Sequence, residues 1–152
     1  MFYPALFALC RKFFSDEHEA LEALNDGMLK VYININRYTA AKGLFFNWMY
    51  TIVRNTALDK LKVKKQTPEN VLGDVLNISF NDNPLNGLEW KDIYKLLDAL
   101  APATRVVCSL FYLEGFLIKE ISEKLEISEG TVKWHLSEAR CKLKPVLKNY
   151  YS

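Results

Sequence analysis

Residues 118–143 constrain the fold most, because they hold two blocks of helical periodicity separated by a short break. Apolar side chains recur in the first block at Ile118, Ile121 and Leu125, the spacing of one helix face. The second block continues in steps of three and four residues, through Val132, Leu136, Ala139 and Leu143. The break falls at Glu126. The pattern predicts a helix, a tight turn and a second helix.

The second of these helices has a defined start and a polar outward face. Ser128 stands where an N-cap belongs, since its hydroxyl can accept from the exposed amides of the first turn. Ile127 before it can pack back on the helix. The outward face carries donors suited to a major groove: Glu129, Thr131, Lys133, Trp134, Ser137 and Arg140. Similar helix pairs also occur in all-α cores that never touch DNA, so periodicity alone leaves both interpretations open.

Composition limits the remaining classes. With 152 residues, of which 50% are hydrophobic, the chain can bury one moderate core or two small ones. It lacks an apolar run of membrane-spanning length and a signal-peptide pattern, so we expect a cytoplasmic protein without membrane insertion. The three cysteines, Cys10, Cys108 and Cys141, are far apart and are expected to be buried. We predict no metal, no cofactor and no catalytic residue, and an enzyme is the least expected class.

Charge is distributed unevenly along the chain. The net charge is only +2, but residues 1–65 hold ten basic against six acidic residues and residues 66–87 hold none against three. The segment 66–87 is also rich in Pro, Gly and Asn, which is typical of a linker. We therefore predict an all-α fold with two small helical domains, 1–65 and 88–152, joined by a flexible acidic linker, 66–87. The C-terminal domain contains the helix-turn-helix.

Further helices are predicted on either side of the linker. The first covers residues 2–14, the second runs from about Glu17 to Ile35 with Ser15 or Asp16 as its cap, and the third covers about Phe45–Lys62. After the linker, helices are expected at Leu88–Leu100 and from Pro102 onward. Pro145 favours an end of the last helix near Lys144.

Two stretches resemble a known family. The string EISEKLEISEGTVKWHLSEARCKL resembles the region 4 helix-turn-helix of sigma-70-type sigma factors, and its TVKWHL also resembles LuxR-type regulators. The string KGLFFNWMYTIVRNTALDKLK resembles sigma region 2, which LuxR-type regulators lack. Two motifs in this order, with nothing but a linker between them, resemble the small extracytoplasmic-function (ECF) class.

This resemblance implies a dissociable subunit that brings core RNA polymerase to promoter DNA. The first domain would open the −10 element and capture extruded bases, which need stacking surfaces and hydrogen-bonding groups. The resemblance implies this role for Asn36, Arg37, Tyr38, Asn47, Tyr50, Arg54, Asn55, Asp59 and Lys62. The second domain would read the −35 element as duplex. Its contacts are expected at Ser128, Glu129, Gly130, Thr131, Lys133, Trp134, Ser137 and Arg140.

The sequence departs from the family pattern at two places. Trp134 and His135 replace the usual Ser-Arg pair, so the promoter sequence cannot be transferred from the family. Glu126 replaces the glycine of the turn, at a possible cost of about 1 kcal/mol if it adopts a left-handed conformation.

The resemblance also implies protein partners. Contacts to core RNA polymerase are expected on the second helix, at Leu24, Asn25, Asp26, Met28 and Leu29. An anti-sigma factor is a further expected partner. Two alternatives stay open at this point: a stand-alone LuxR-like transcriptional regulator, and a helical interaction protein that kept the sigma fold.

Overall fold

The computed structural model describes residues 2–64 and 87–151, and the regular secondary structure in these ranges is helical. The predicted all-α fold class is confirmed. The chain divides at residue 65 into two compact units. The predicted linker, 66–87, lies outside the described residues except for Gly87. No helix in the described ranges is long and apolar enough to cross a bilayer.

The first unit contains three α-helices and two short 3-10 turns. The helices are α1 (Tyr3–Phe13), α2 (Glu17–Ile33) and α3 (Phe45–Lys64), and the turns are Ile35–Arg37 and Ala40–Lys42. Of the two predicted N-cap residues of α2, Asp16 is the one that caps the helix: its Oδ1 accepts from the backbone N–H of His18 at 2.7 Å. The α-helix ends two residues before the predicted Ile35, where the chain tightens into the first 3-10 turn.

Helices α2 and α3 approach each other closely at Gly27. A Cβ atom at this position would lie 3.0 Å from Cα of Val53 and 3.1 Å from its Cγ2. Contacts this short leave no room for a side chain between the helix backbones. Around the crossing, apolar side chains fill the core: Leu6, Leu9, Phe13, Ala20, Ala23, Leu24, Val31, Met49, Val53, Ala57 and Leu58. The missing side chain of Gly27 therefore sets the distance between α2 and α3.

We expect Gly27→Val to destabilise the first unit by about 1–3 kcal/mol, because an inserted side chain must push the α3 backbone away. The free energy of unfolding is measured in urea on the full chain. Asn25→Val, at an exposed position of the same helix, is the control for the helix propensity of valine. Equal midpoints for the two variants would contradict the close approach.

In the described part of the second unit, residues 87–151, there are four α-helices. They are α4 (Trp90–Asp98), α5 (Pro102–Cys108), α6 (Ile118–Leu125) and α7 (Glu129–Tyr151). A single π-helical turn, Ser109–Leu113, follows α5, with the N–H of Glu114 bonded to the carbonyl of Ser109 at 2.9 Å. The periodicity did not reveal this turn. Pro102 occupies the first turn of α5, as predicted.

The core of the second unit includes the predicted stripe of the helix-turn-helix. Its members are buried except Ile118, which is half-buried. The other large contributors are Ile93, Leu96, Leu97, Val106, Val107 and Leu110. Arg105 is also buried, with 2% exposure, and its Nη1 donates to Oδ1 of Asp98 at 2.6 Å. The ion pair joins α5 to α4, and it connects the buried guanidinium group of Arg105 to a carboxylate at the surface, since the Asp98 side chain is 48% exposed.

Two expectations for α7 were wrong. The helix continues through Pro145 to Tyr151 instead of ending near Lys144. Proline inside a helix removes one N–H bond and disfavours helical backbone before it, but Val146 and Leu147 beyond it are half-buried, and their burial offsets part of that loss. Cys141 is exposed, because it lies on the side of α7 away from the buried stripe.

The remaining two cysteines are buried, and burial raises the pKa of the Cys10 thiol and of the Cys108 thiol to about 12. Since the thiolate is the reactive species, both should be inert in the folded chain. We expect a disulfide reagent at pH 8 to label Cys141 rapidly and the other two only in denaturant. Rapid native labelling of more than one thiol would contradict this packing.

Candidate nucleic-acid interface

The turn between α6 and α7 keeps the left-handed geometry that a glycine would favour. Glu126 adopts φ 57° and ψ 45°, and it is the only non-glycine residue with positive φ in the described part of the chain. The Ser122 hydroxyl donates to the carbonyl of Ile127 at 2.6 Å and closes the turn. The substitution of glycine by glutamate therefore leaves the turn conformation left-handed, with strain in the backbone.

Ser128 caps the N-terminus of α7, as predicted. Its Oγ accepts from the backbone N–H of Thr131 at 3.0 Å, and the two hydroxyl oxygens, Ser128 Oγ and Thr131 Oγ1, lie 2.8 Å apart. Glu129 and Gly130 are exposed at the same end. The first amides of a helix carry partial positive charge, so this end can receive a phosphate oxygen.

The side chains predicted for the outward face of α7 divide into two groups. Lys133 is exposed and Trp134 is half-buried. The hydroxyl oxygen of Ser137 is buried and has no hydrogen-bond partner within the described residues. Arg140 donates from Nε to the Tyr112 hydroxyl at 2.8 Å and lies over the ring, 5.7 Å from its centroid. Ser137 and Arg140 therefore face the protein in this conformation, which the sequence prediction did not anticipate.

The histidine after Trp134 is a core residue and not a group on the helix flank. His135 is 8% exposed, and its Nδ1 lies 2.9 Å from Oγ1 of Thr104 on α5. Its ring meets the Trp134 ring edge to face, with centroids 5.0 Å apart and planes at 75°. Sequence reasoning missed Thr104, because nothing in its local pattern relates it to α7.

An aromatic cluster joins the segment of the two 3-10 turns to the start of α3. The ring of Tyr38 lies 5.1 Å from that of Phe45 and 5.3 Å from that of Trp48, and its hydroxyl donates to the carbonyl of Gly43 at 2.7 Å. All three rings are half-buried, and Asn36 and Arg37, which precede Tyr38 in sequence, are exposed. As partly open rings next to polar side chains, they offer a surface on which bases can stack.

The candidate residues of α3 occupy two adjacent faces. By helical spacing, Asn47, Tyr50 and Arg54 share one face. Two contacts hold the Tyr50 side chain: its hydroxyl accepts from Lys12 Nζ at 3.4 Å, and its ring centroid is 5.8 Å from that of Phe46. The remaining three candidates lie on the next face: Asn55, Asp59 and Lys62. By helical geometry, the first three therefore lie together on α3 and the other three lie apart from them.

The residues proposed for polymerase contact on α2 include one correction. Leu24 is fully buried in the core of the first unit, so its side chain is not part of the outward surface of α2. Asn25, Asp26 and Leu29 are exposed, and Met28 is half-buried. Asp26 accepts from Lys60 Nζ at 2.7 Å, and this hydrogen bond is the main reason that the pKa of Lys60 is raised.

These features define a helical protein of two units, with a helix-turn-helix in one and an aromatic and polar surface in the other. Models of two regions of one family match the chain: Sigma-70 region 2 over residues 1–67, and Sigma-70 region 4 over residues 90–143. The chain belongs to the sigma-70 family, and its similarity to curated relatives places it among the ECF sigma factors.

Curated relatives match both halves of the chain. It is 30% identical to the ECF RNA polymerase sigma factor SigM of Bacillus subtilis, over 85% of this chain and 80% of that protein. It is 24% identical to SigW of the same organism, over 95% of this chain and 83% of that protein. The fold resembles Bartonella quintana RpoE, solved in complex with the anti-sigma factor NepR, with a TM-score of 0.56, 22% identity and coverage of 95% and 91%.

The comparisons decide between the two DNA-binding alternatives. The region 2 match covers the whole first unit, a segment that LuxR-type regulators lack. None of the reported matches supports a LuxR-like regulator. The resemblance to an ECF sigma factor with regions 2 and 4 is therefore confirmed.

The left-handed residue of the turn gives a prediction. Glu126→Gly should raise the free energy of unfolding by up to about 1 kcal/mol, because glycine adopts this conformation without steric cost. The gain in the folded state is reduced by the greater freedom of glycine in the unfolded chain. Glu126→Val, which adds a β-branched side chain at positive φ, should lower the stability in the same urea titration. If valine were tolerated as well as glycine, the backbone here would not be strained.

Proposed function

We propose that this chain directs core RNA polymerase to specific promoters, melts the −10 element with its first unit and reads the −35 element with its second. One observation carries the proposal: both sigma regions match in order, and each match coincides with one compact unit. The chain acts in the cytoplasm with polymerase and has no catalytic step of its own. An anti-sigma factor is the expected inhibitor.

Reading of the −35 element uses the N-terminal end of α7. The exposed amides at Glu129 and Gly130 and the ammonium group of Lys133 bind phosphates and set the register of the helix in the major groove. Thr131 and Trp134 then reach base edges. Ser137 and Arg140 contribute by supporting α7 from inside the unit or after a change of rotamer, since both now face the protein.

Melting of the −10 element uses the aromatic cluster of Tyr38, Phe45 and Trp48. A base leaving the duplex stacks on an aromatic face and thereby recovers part of the lost stacking energy, about 1–3 kcal/mol per base. The exposed Asn36 and Arg37 lie beside the cluster in sequence and can bond base edges or phosphate. The face of Asn47, Tyr50 and Arg54 receives the neighbouring nucleotides. We expect Asn55, Asp59 and Lys62 to lie along the DNA backbone that follows these nucleotides.

Contact with core polymerase uses the outward side of α2. Asn25 and Asp26 supply its polar part, with half-buried Met28 at its edge. Leu29 is 58% exposed, and farther along α2 Tyr32 and Ile33 are 76% and 65% exposed. A run of exposed apolar side chains on one helix is typical of a surface that a partner covers. Core polymerase is the partner that the proposed function requires.

The test is transcription from a promoter library by the purified chain and sigma-free core polymerase. We expect transcripts that depend on the chain, and alignment of their start sites should give both promoter elements. Leu29→Arg should weaken binding to core at least about tenfold and reduce all transcripts alike. Leu44→Arg makes the same change at a residue that is 71% exposed outside α2, and should leave core binding unchanged.

Each negative outcome has a separate meaning. Tight core binding without any transcript would contradict promoter recognition and favour an interaction protein that kept the sigma fold. Specific duplex binding by a dimer without polymerase would favour a stand-alone regulator. Equal loss of core binding in both leucine variants would contradict the contact on α2.

A further inference from the structure

Trp134 stands out on α7 because a large indole lies on the side of the helix turned away from the core. At 100° per residue, it points about 170° from the mean direction of the buried stripe that contains Val132 and Leu136. Gly130 precedes it by one turn on the same side and carries no side chain to cover it. The indole is nevertheless half-buried, since its ring packs against the ring of His135. Its orientation is therefore constrained on one side and open on the other.

The orientation of His135 is fixed from inside the unit. Its Nδ1 and Oγ1 of Thr104 are 2.9 Å apart, and the two residues are only 8% and 2% exposed. Thr104 belongs to α5, which packs against α7. A buried hydrogen bond to one ring nitrogen holds the imidazole in one position. Because the indole of Trp134 contacts this fixed ring edge to face, with ring planes at 75°, its own orientation is restricted as well.

We propose that Trp134 is a specificity-determining residue that packs its indole on a thymine C5-methyl group of the −35 element. His135, held by Thr104, is its positioning residue. The inference rests on the proposed function, in which this side of α7 enters the major groove. In that groove only the A·T and T·A pairs carry a methyl group, and an apolar side chain distinguishes it by contact. Lys133, exposed next to Trp134, binds phosphate and carries no base preference.

The test compares thymine with uracil, which lacks only the methyl group. Promoter DNA from the library carries uracil at one −35 thymine at a time, and binding of the complex of this chain with core polymerase is measured. At the contacted position, uracil should weaken binding by the wild-type chain about threefold to fourfold, the value of one buried methyl group. Trp134→Ala should bind both DNAs equally. Lys133→Ala should bind both more weakly and keep the wild-type ratio.

The positioning role has its own readout. Thr104→Val removes the hydroxyl at constant size and should lower the thymine-to-uracil ratio toward one, as should His135→Ala. Thr104→Ser keeps the hydroxyl and should restore the wild-type ratio, which separates orientation of the indole from loss of folding. Thermal melting of each variant accompanies the binding data.

The outcomes are distinct. A wild-type chain without discrimination at any −35 thymine, or Trp134→Ala with the wild-type ratio, would overturn the methyl contact. Full discrimination by His135→Ala and Thr104→Val would overturn the positioning role alone. If the wild-type chain and core formed no promoter complex at all, the proposed function would fail together with this inference.

Discussion

The close approach of α2 and α3 at Gly27 is the contact on which the first unit depends. With Cα of Val53 only 3.0 Å from where a Cβ would stand, the two helices cannot separate or slide without losing the packing of the core around them. The proposed polymerase contacts lie on α2 and most of the proposed −10 contacts lie on α3. Lys60 adds an exposed link, since it bonds both Glu22 and Asp26. The two proposed binding surfaces therefore belong to one closely packed unit.

In the second unit, hydrogen bonds made by buried polar side chains have the comparable role. The pairs Asp98–Arg105 and Thr104–His135 and the contact of Tyr112 with Arg140 connect α4, α5 and the π-helical turn to their neighbours. Hydrogen bonds of this kind are directional, so they specify one arrangement of the helices where apolar contacts alone would tolerate several. They also use two side chains of α7 from inside the unit. DNA reading is then left to fewer outward groups, concentrated at the N-terminal end of the helix.

Local chemistry was enough to predict most of the fold. Caps such as Asp16 and Ser128 bond backbone N–H groups within three residues of their own position. The apolar stripes follow the helical period, so caps and stripes can both be predicted from nearby residues in the sequence. Direction was harder to predict, because spacing gives the Cβ position and not where a long or polar side chain ends. Arg140 is an example: its position on the helix predicts an outward side chain, but the guanidinium group turns back to Tyr112. Leu24 was assigned to a contact surface by resemblance, although its helix face is buried. Hydrogen-bond partners that are distant in sequence, such as Thr104 for His135, leave no pattern in the residues around either one.

Helix α7 has a mechanical consequence. Its 23 residues make a rod about 35 Å long, close to one turn of B-DNA. The last buried residue of its stripe is Leu143, and Val146 and Leu147 in the next turn are half-buried. A tilt of about 10° at the end that enters the groove would displace the opposite end by about 6 Å over this length. The length of α7 therefore makes the position of its far end depend strongly on the angle at which the core holds its N-terminal end.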